Sequence, residues 1–222
     1  MREIATSRLF GVGIEFGAGT MPVAVPLDCR VLFADAFSQS QLSERSYAAQ
    51  GNDFVILSYV TGLEEMQGVG DESLDFIIAA HVIEHLRNPL LALRRAYEKL
   101  KPGGSLVLFV PDKQLTFDKA REVTLLQHII ADYENQSDAR DFLHYVEFYS
   151  KAFVTPIEQI YERVRDAVKT GGDVHFHTWT YESFQEMISY CRKSMNPWSD
   201  VWSQPAVKQD KTANEFYFVL TK

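Results

Sequence analysis

Five short apolar runs, each separated from the next by a polar segment, organise the first half of the chain. They lie at 12–16, 31–34, 54–57, 76–80 and 106–110. Runs without polar alternation are typical of strands that are buried on both faces, as in a parallel sheet. The segments between the runs are long enough for crossover helices. This alternation predicts an open, doubly wound, mostly parallel α/β sheet.

The clearest crossover helix is predicted at 88–101. Asn88 is a favourable N-cap, and Pro89 fits the first helical turn. Apolar side chains then recur at helical spacing, at Leu90, Leu93, Tyr97 and Leu100. A Pro-Gly-Gly run at 102–104 ends the helix.

A predicted helical insertion at about 112–172 interrupts this rhythm. Its three helices are expected at 118–133, 138–149 and 155–169. In the third helix, Thr155 and Glu158 have the spacing of a capping box, and Pro156 fits the first helical position.

Beyond the insertion, Thr180 is predicted to cap a further helix, and two last strands are predicted at 198–203 and 215–221. A polar turn that contains Pro205 joins these strands into a hairpin, which would place one antiparallel strand in the sheet. No linker or repeat divides the chain, so we expect a single domain over residues 1–222.

Composition and charge exclude several classes of protein. Hydrophobic residues make up 46% of the chain and charged residues 23%, which excludes a disordered chain. The net charge of −8 is the opposite of what a nucleic-acid or anionic-membrane binder shows. No apolar run approaches about 18 residues, so no membrane span is expected. Two cysteines without a CxxC motif and an N-terminus without an apolar signal stretch favour a cytoplasmic protein.

The first chemical motif is a glycine turn at 13–20, which follows the first predicted strand. Glycines there let the backbone turn sharply and approach a ligand closely, because no Cβ stands in the way. The dinucleotide fingerprint would place a third glycine where Pro22 stands, which disfavours an NAD-linked oxidoreductase. Asp35 ends the next strand, 18 residues after Gly17, an offset at which a carboxylate accepts ribose hydroxyls.

Two further motifs complete a recognisable set. Residues 75–86 read DFIIAAHVIEHL, and residues 100–111 read LKPGGSLVLFVP. With the glycine turn and Asp35, they give the stretch 13–111 a close resemblance to the class I S-adenosylmethionine (SAM) methyltransferases, in particular the bacterial small-molecule branch. The resemblance implies a Rossmann-like, seven-stranded sheet and SAM as the cofactor.

The resemblance also implies roles for individual residues. Gly17, Ala18 and Gly19 would line the methionine moiety of SAM, and Glu15 would help to set that loop. Asp35 would hold the ribose beside Ala36 and Phe37, and the backbone at Ala80 and His81 would face the methionine amino group. The family often has an acidic residue after the third strand that reaches the adenine. No alignment places Glu64 or Glu65 there, so Leu63 is the expected adenine contact.

Two histidine patterns raise the question of a metal. His81, Glu84 and His85 match the H-x-x-E-H pattern of zinc peptidases, which must lie inside a helix. The predicted strand runs directly into His81, so a peptidase is not expected, and Glu84 and His85 can instead form a structural turn. His175 and His177 would lie on the same side of a strand, but no Cys or carboxylate at ligand spacing supports them. We therefore expect no metal.

The acceptor side of the site is expected near the insertion. Because the insertion leaves from the carboxyl end of the fifth strand, we expect a lid over the acceptor pocket. Residues expected to face the methyl group are His144, Tyr145, His177 and Trp179, with His144, His177 and Asp112 as candidate catalytic groups. The alternative is an oligomer interface, for example in a homodimer, with partner contacts through Phe142, Phe148 and Phe153.

The acceptor itself is expected to be a small molecule with an oxygen or nitrogen nucleophile, and a glycan-related compound is one candidate. Nucleic acid and membrane partners are not expected, given the acidic balance of the chain. A methyltransferase-like module that binds SAM without turnover is the alternative function.

Overall fold

The computed structural model describes residues 1–44, 53–135, 137–153, 155–210 and 213–222. Residues 136 and 154, which belong to the predicted insertion, lie outside this description. No helix among the described residues is long and apolar enough to cross a bilayer.

A seven-stranded sheet forms the centre of the fold, in the order β3-β2-β1-β4-β5-β7-β6. The first five strands run parallel, and β7 runs antiparallel to both β5 and β6. The predicted doubly wound sheet and its single antiparallel strand are therefore confirmed. The strands are β1 (Val12–Phe16), β2 (Arg30–Asp35), β3 (Tyr59–Val60), β4 (Leu74–Ala80), β5 (Leu100–Pro111), β6 (Asp200–Gln204) and β7 (Glu215–Thr221).

The third strand lies later than its apolar run predicted. The prediction of a strand at 54–57 is wrong, because only Tyr59 and Val60 pair with β2. The apolar run instead passes over the carboxyl end of the sheet, where the Val55 N–H donates to the Gly19 carbonyl. Hydrophobic character alone did not distinguish an edge strand from a segment that packs across the strand ends.

The described part of the chain contains seven α-helices, and two of them begin as the sequence predicted. The Asn88 side chain accepts from the Leu91 N–H, and Thr180 and Ser183 form a reciprocal capping box. The helices are α1 (Arg2–Thr6), α2 (Gln39–Glu44), α3 (Pro89–Lys99), α4 (Leu126–Glu134), α5 (Asp138–Lys151), α6 (Ile157–Thr170) and α7 (Tyr181–Ser194).

Two details of the insertion differ from the prediction. The helix predicted at 118–133 begins only at Leu126, because short 3-10 turns and an extended segment come first. In that segment Thr124 exchanges hydrogen bonds with Thr178, which holds the backbone extended. The predicted capping box at Thr155 is also wrong, since α6 is capped at Pro156 without a side-chain hydrogen bond.

A polar cluster inside the insertion ties α4 to α5. Asp132 Oδ2 lies 3.1 Å from His128 Nε2 and 3.4 Å from His144 Nε2, and Arg140 contacts the other carboxylate oxygen. His144 Nδ1 in turn lies 3.0 Å from the Phe176 carbonyl. Burial disfavours the charge on Asp132, but the contacts with His128, His144 and Arg140 outweigh it and hold the pKa of this carboxyl well below its usual range.

A close contact between Gly13 and Phe76 joins β1 to β4. A Cβ placed on Gly13 would lie 2.2–2.4 Å from ring atoms of Phe76, which is itself fully buried. We expect Gly13→Ala to lower the free energy of unfolding by about 1–3 kcal/mol, because the core must shift to admit the methyl group. Urea unfolding measures this change. Gly70→Ala is the matched control, since its Cβ makes only ordinary contacts from 3.6 Å, and an equal loss in both variants would contradict the account.

The Asp132 cluster predicts a pH-dependent stability. Asp132→Asn should lower the free energy of unfolding by about 1–3 kcal/mol at pH 7, because it removes a buried charged acceptor. A carboxyl with a depressed folded pKa stabilises above its unfolded pKa of about 4 and loses that contribution as the pH falls further. The difference in free energy of unfolding between wild type and variant, the stability gap, should therefore shrink below about pH 4. Urea titrations at several pH values measure it, and a gap that grows at low pH would contradict the assignment.

Candidate cofactor and acceptor cavity

A large cavity of about 1210 Å³ opens at the carboxyl ends of β1, β2 and β4. Open α/β sheets bind ligands at this place, where the strand order changes direction. Small-molecule sites measure about 300–1,000 Å³, so this cavity has room for more than one ligand. Three segments that follow strands line one half, and the insertion with the segment after it lines the other.

The glycine turn after β1 is held in a conformation that side chains avoid. Gly17 and Gly19 have φ angles of 68° and 56°, in the left-handed region. A Cβ on Gly17 would lie 2.7 Å from Cγ2 of Val82, so the turn packs directly against the segment that follows β4. Gly17, Ala18 and Gly19 all line the cavity, and their contact with the cofactor stays a prediction.

Glu15 fixes the chain beneath this turn. Its buried carboxylate accepts the Val23 N–H through both oxygens at 3.1 Å, and it also lines the cavity. Burial raises the pKa of Glu15 to about 7. A positive charge near a carboxyl with such a pKa favours the ionised form of that carboxyl.

The side of the cavity where the adenosine is expected is bounded by β2 and by the loop after β3. Asp35 and Ala36 line the cavity as expected, and Asp35 Oδ1 accepts the Phe37 N–H at 2.9 Å. Leu63 departs from the prediction, since it is only 2% exposed and packs into the core. Its neighbours Glu64 and Glu65 line the cavity in its place. Burial raises the pKa of Glu64 to about 7.

The end of β4 is linked to residues that the motifs did not reveal. Ala80 and His81 line the cavity, and His81 has a φ of 53°, which is rare for a residue with a side chain. His81 Nε2 lies 2.9 Å from Oε2 of the buried Glu215, which also binds the Arg2 guanidinium. Arg2 and Glu215 lie near opposite ends of the chain, so no local sequence motif predicted their contact.

A second group of polar residues lies deeper in the same cavity. Glu84, His85 and His175 each line it, and one possible ligand atom of each lies within 4.8 Å of the others. Glu84 and His85 belong to a 3-10 turn at Ile83–His85, as expected for a turn rather than a peptidase helix. His175 and His177 do not lie in a strand, because the segment that carries them is irregular, and His177 Nε2 lies 4.0 Å from Asp132 Oδ2.

Three proposed acceptor-side residues lie away from the cavity. The described lining residues do not include His144, His177 or Asp112. His144 belongs to the Asp132 cluster, and His177 is fully buried, which lowers its pKa to about 3. Asp112 caps a 3-10 turn through the Gln114 N–H and bridges to Trp179 through the backbone. Trp179 is buried in the core.

The insertion contributes an aromatic wall to the cavity that includes Tyr145, whose contact with the methyl group stays a prediction. Phe148, which was considered for a partner interface, is buried within the chain and packs edge-on against Phe117. Phe142 stays about half exposed. The lid remains a prediction, but the wall is in the place that a lid requires. The aromatic wall comprises Phe117, Tyr145, Phe148 and Phe153 of the insertion, together with Phe176 from the segment after it.

Among known proteins, one curated relative and two solved structures bear on this site. The chain is 31% identical over 103 residues to the ubiquinone biosynthesis O-methyltransferase of Ruegeria pomeroyi, which covers 46% of this chain and 40% of that protein. The CurJ carbon methyltransferase aligns with 100% of this chain and 54% of its own, at 17% identity and a TM-score of 0.50. The complex of the Haloferax volcanii Trm112 methyltransferase activator and the putative methyltransferase aligns over 99% of this chain and 87% of that chain, at 13% identity and a TM-score of 0.50.

These similarities differ in what they show. The chain spans less than half the length of its curated relative. The two structures share too little sequence to show more than the fold. A family model described as a methyltransferase domain matches residues 3–205, which is most of the chain. The chain therefore belongs to the methyltransferase-domain family within the class I SAM-dependent methyltransferases, for which SAM is the cofactor.

Proposed function

We propose that this chain transfers the methyl group of SAM to a hydroxyl oxygen of a small, ring-containing acceptor. The observation that carries the proposal is the continuity of the cavity. One space joins the glycine turn and Asp35 to the aromatic wall and the buried polar group around Glu84. A donor and an acceptor held side by side in one cavity react as neighbours, which removes much of the entropic barrier.

The part of the cavity lined by the glycine turn and Asp35, called the cofactor half, would bind and orient SAM. When bound, SAM supplies an electrophilic methyl group on a positively charged sulfur. Asp35 would accept the ribose hydroxyls, and the left-handed glycine turn allows a ligand to approach the backbone closely. Glu15, whose pKa burial raises to about 7, would favour the positive end of the cofactor when ionised.

The acceptor half favours an apolar ring that carries a hydroxyl group. Four phenylalanines and Tyr145 line it, and such rings stack well with planar ligands. The Glu84, His85 and His175 side chains supply the polar contacts that a hydroxyl needs. The curated relative is named as an O-methyltransferase, which supports oxygen over nitrogen as the nucleophile.

The alternative is a module that binds SAM without turnover. Binding of S-adenosylhomocysteine separates both enzyme and module from a protein with no cofactor site. Only methyl transfer separates the enzyme from the module. The observation in favour of an enzyme is the second half of the cavity, since a module needs room for the cofactor alone.

The cofactor site predicts a specific loss of affinity. Asp35→Ala should weaken the binding of S-adenosylhomocysteine by about 10–100-fold, because a charge-assisted hydrogen-bond acceptor is lost. Titration calorimetry measures the change. Asp28→Ala is the matched control, since this exposed carboxylate lies in the turn before the same strand and outside the cavity lining. Equal affinities for Asp35→Ala and wild type would remove Asp35 from the site.

The acceptor class predicts a pattern of turnover. With labelled SAM, label should pass to phenols and ortho-dihydroxylated aromatic compounds, and much less to methyl glycosides or aliphatic amines. Label transfer to a glycoside in preference to every phenol would contradict the acceptor class. Tight binding of S-adenosylhomocysteine without transfer to any compound of the panel would favour the binding module.

A further inference from the structure

The strongest unexplained feature of the cavity is the buried carboxylate of Glu84. Glu84 is 1% exposed, and neither of its side-chain oxygens has a hydrogen-bond partner among the described residues. The nearest basic nitrogens to Oε1 are His81 Nδ1 at 3.6 Å and His85 Nε2 at 3.9 Å. Those distances exceed a hydrogen bond. A buried carboxylate without a partner is costly, which points to a cation that completes the site when bound.

Two imidazoles beside Glu84 are held in the manner of metal ligands. His175 Nδ1 lies 2.6 Å from Asp118 Oδ2, and Arg121 holds the other oxygen of that carboxylate at 2.8 Å. His85 Nδ1 lies 2.7 Å from Asp173 Oδ1. In metal sites a carboxylate that accepts one ring N–H fixes the tautomer and leaves the other nitrogen for the ion.

We propose that Glu84, His85 and His175 bind a divalent transition-metal ion at the acceptor end of the cavity. Two imidazoles and one carboxylate are a known donor set for ions such as Zn²⁺ and Fe²⁺, and they leave coordination positions open. Mg²⁺ and Ca²⁺ prefer oxygen donors throughout. The three residues line the cavity, so the open positions face the space reserved for the acceptor.

The role of the ion rests on the proposed function. It would hold the acceptor oxygen beside the methyl group and favour loss of the hydroxyl proton, as metal ions do for bound water. The acceptor oxygen then forms a bond to the methyl carbon. The carbon–sulfur bond breaks with its electron pair going to sulfur, and the hydroxyl proton passes to solvent water.

The His128, Asp132 and His144 group is the competing location for an ion. Its atoms also lie within reach of one another. However, Asp132 is contacted by two imidazoles and by Arg140, and the described cavity lining contains none of the three. This group is therefore a built-in control, because a variant within it separates the two locations.

The test is a Co²⁺ titration of this chain after chelator treatment, in the presence of S-adenosylhomocysteine. Visible absorption and calorimetry both monitor the titration. Wild type should bind one equivalent of Co²⁺ and show the d–d absorption bands of the bound ion. Glu84→Gln should abolish both signals, and His128→Ala should retain them. Asp173→Asn should weaken Co²⁺ binding about 10–100-fold, whereas Asp166→Asn, an exposed residue outside the cavity lining, should not.

Affinity for S-adenosylhomocysteine measured without metal confirms that each variant is folded. Absence of Co²⁺ binding to wild type would overturn the proposal, as would signals that survive Glu84→Gln and disappear in His128→Ala. Methyl transfer at full rate in excess chelator would overturn the role of the ion and leave the methyltransferase function intact. Absence of S-adenosylhomocysteine binding would instead contradict the proposed function, whatever the result with Co²⁺.

Discussion

The parallel pairing of β1 with β4 is the contact on which the rest of the site depends. Gly13 pairs with Phe76 and Phe16 with Ala79, and no side chain larger than hydrogen fits at Gly13. This register ends both strands at the same edge of the sheet. Gly17 then packs against Val82, so the glycine turn lies beside the turn that carries His81, Glu84 and His85. One backbone contact thus brings the cofactor half and the acceptor half together.

The insertion uses histidine–carboxylate contacts in two different ways. Around Asp132, the contacts hold α4 against α5 and keep the helical layer in place. Around Asp118 and Asp173, the carboxylates orient imidazoles that face the cavity. In the first arrangement Arg140 contacts one oxygen of Asp132, and imidazole nitrogens lie 3.1 and 3.4 Å from the other. In the second, neither oxygen of Glu84 has a hydrogen-bond partner among the described residues. That difference separates a structural network from a site that awaits a ligand.

Much of the sheet and the cofactor half could be predicted from local sequence. Glycine turns, caps such as Asn88 and Thr180, and a carboxylate after β2 are signals within a few residues of one another. The acceptor half could not be predicted in this way. His175 meets Glu84 and His85 across about 90 residues of chain, and Arg2 meets Glu215 across 213. His144 and Leu63 were misplaced because helical position and hydrophobicity do not tell which way a side chain faces.

The central claim is that one cavity holds the cofactor and the acceptor on opposite sides of the transferred methyl group. A crystal structure with S-adenosylhomocysteine tests it most directly. The account predicts that the ribose lies on Asp35 and that the sulfur faces the Glu84, His85 and His175 side chains. A ligand whose sulfur faces away from those residues, or one bound outside this cavity, would contradict the account.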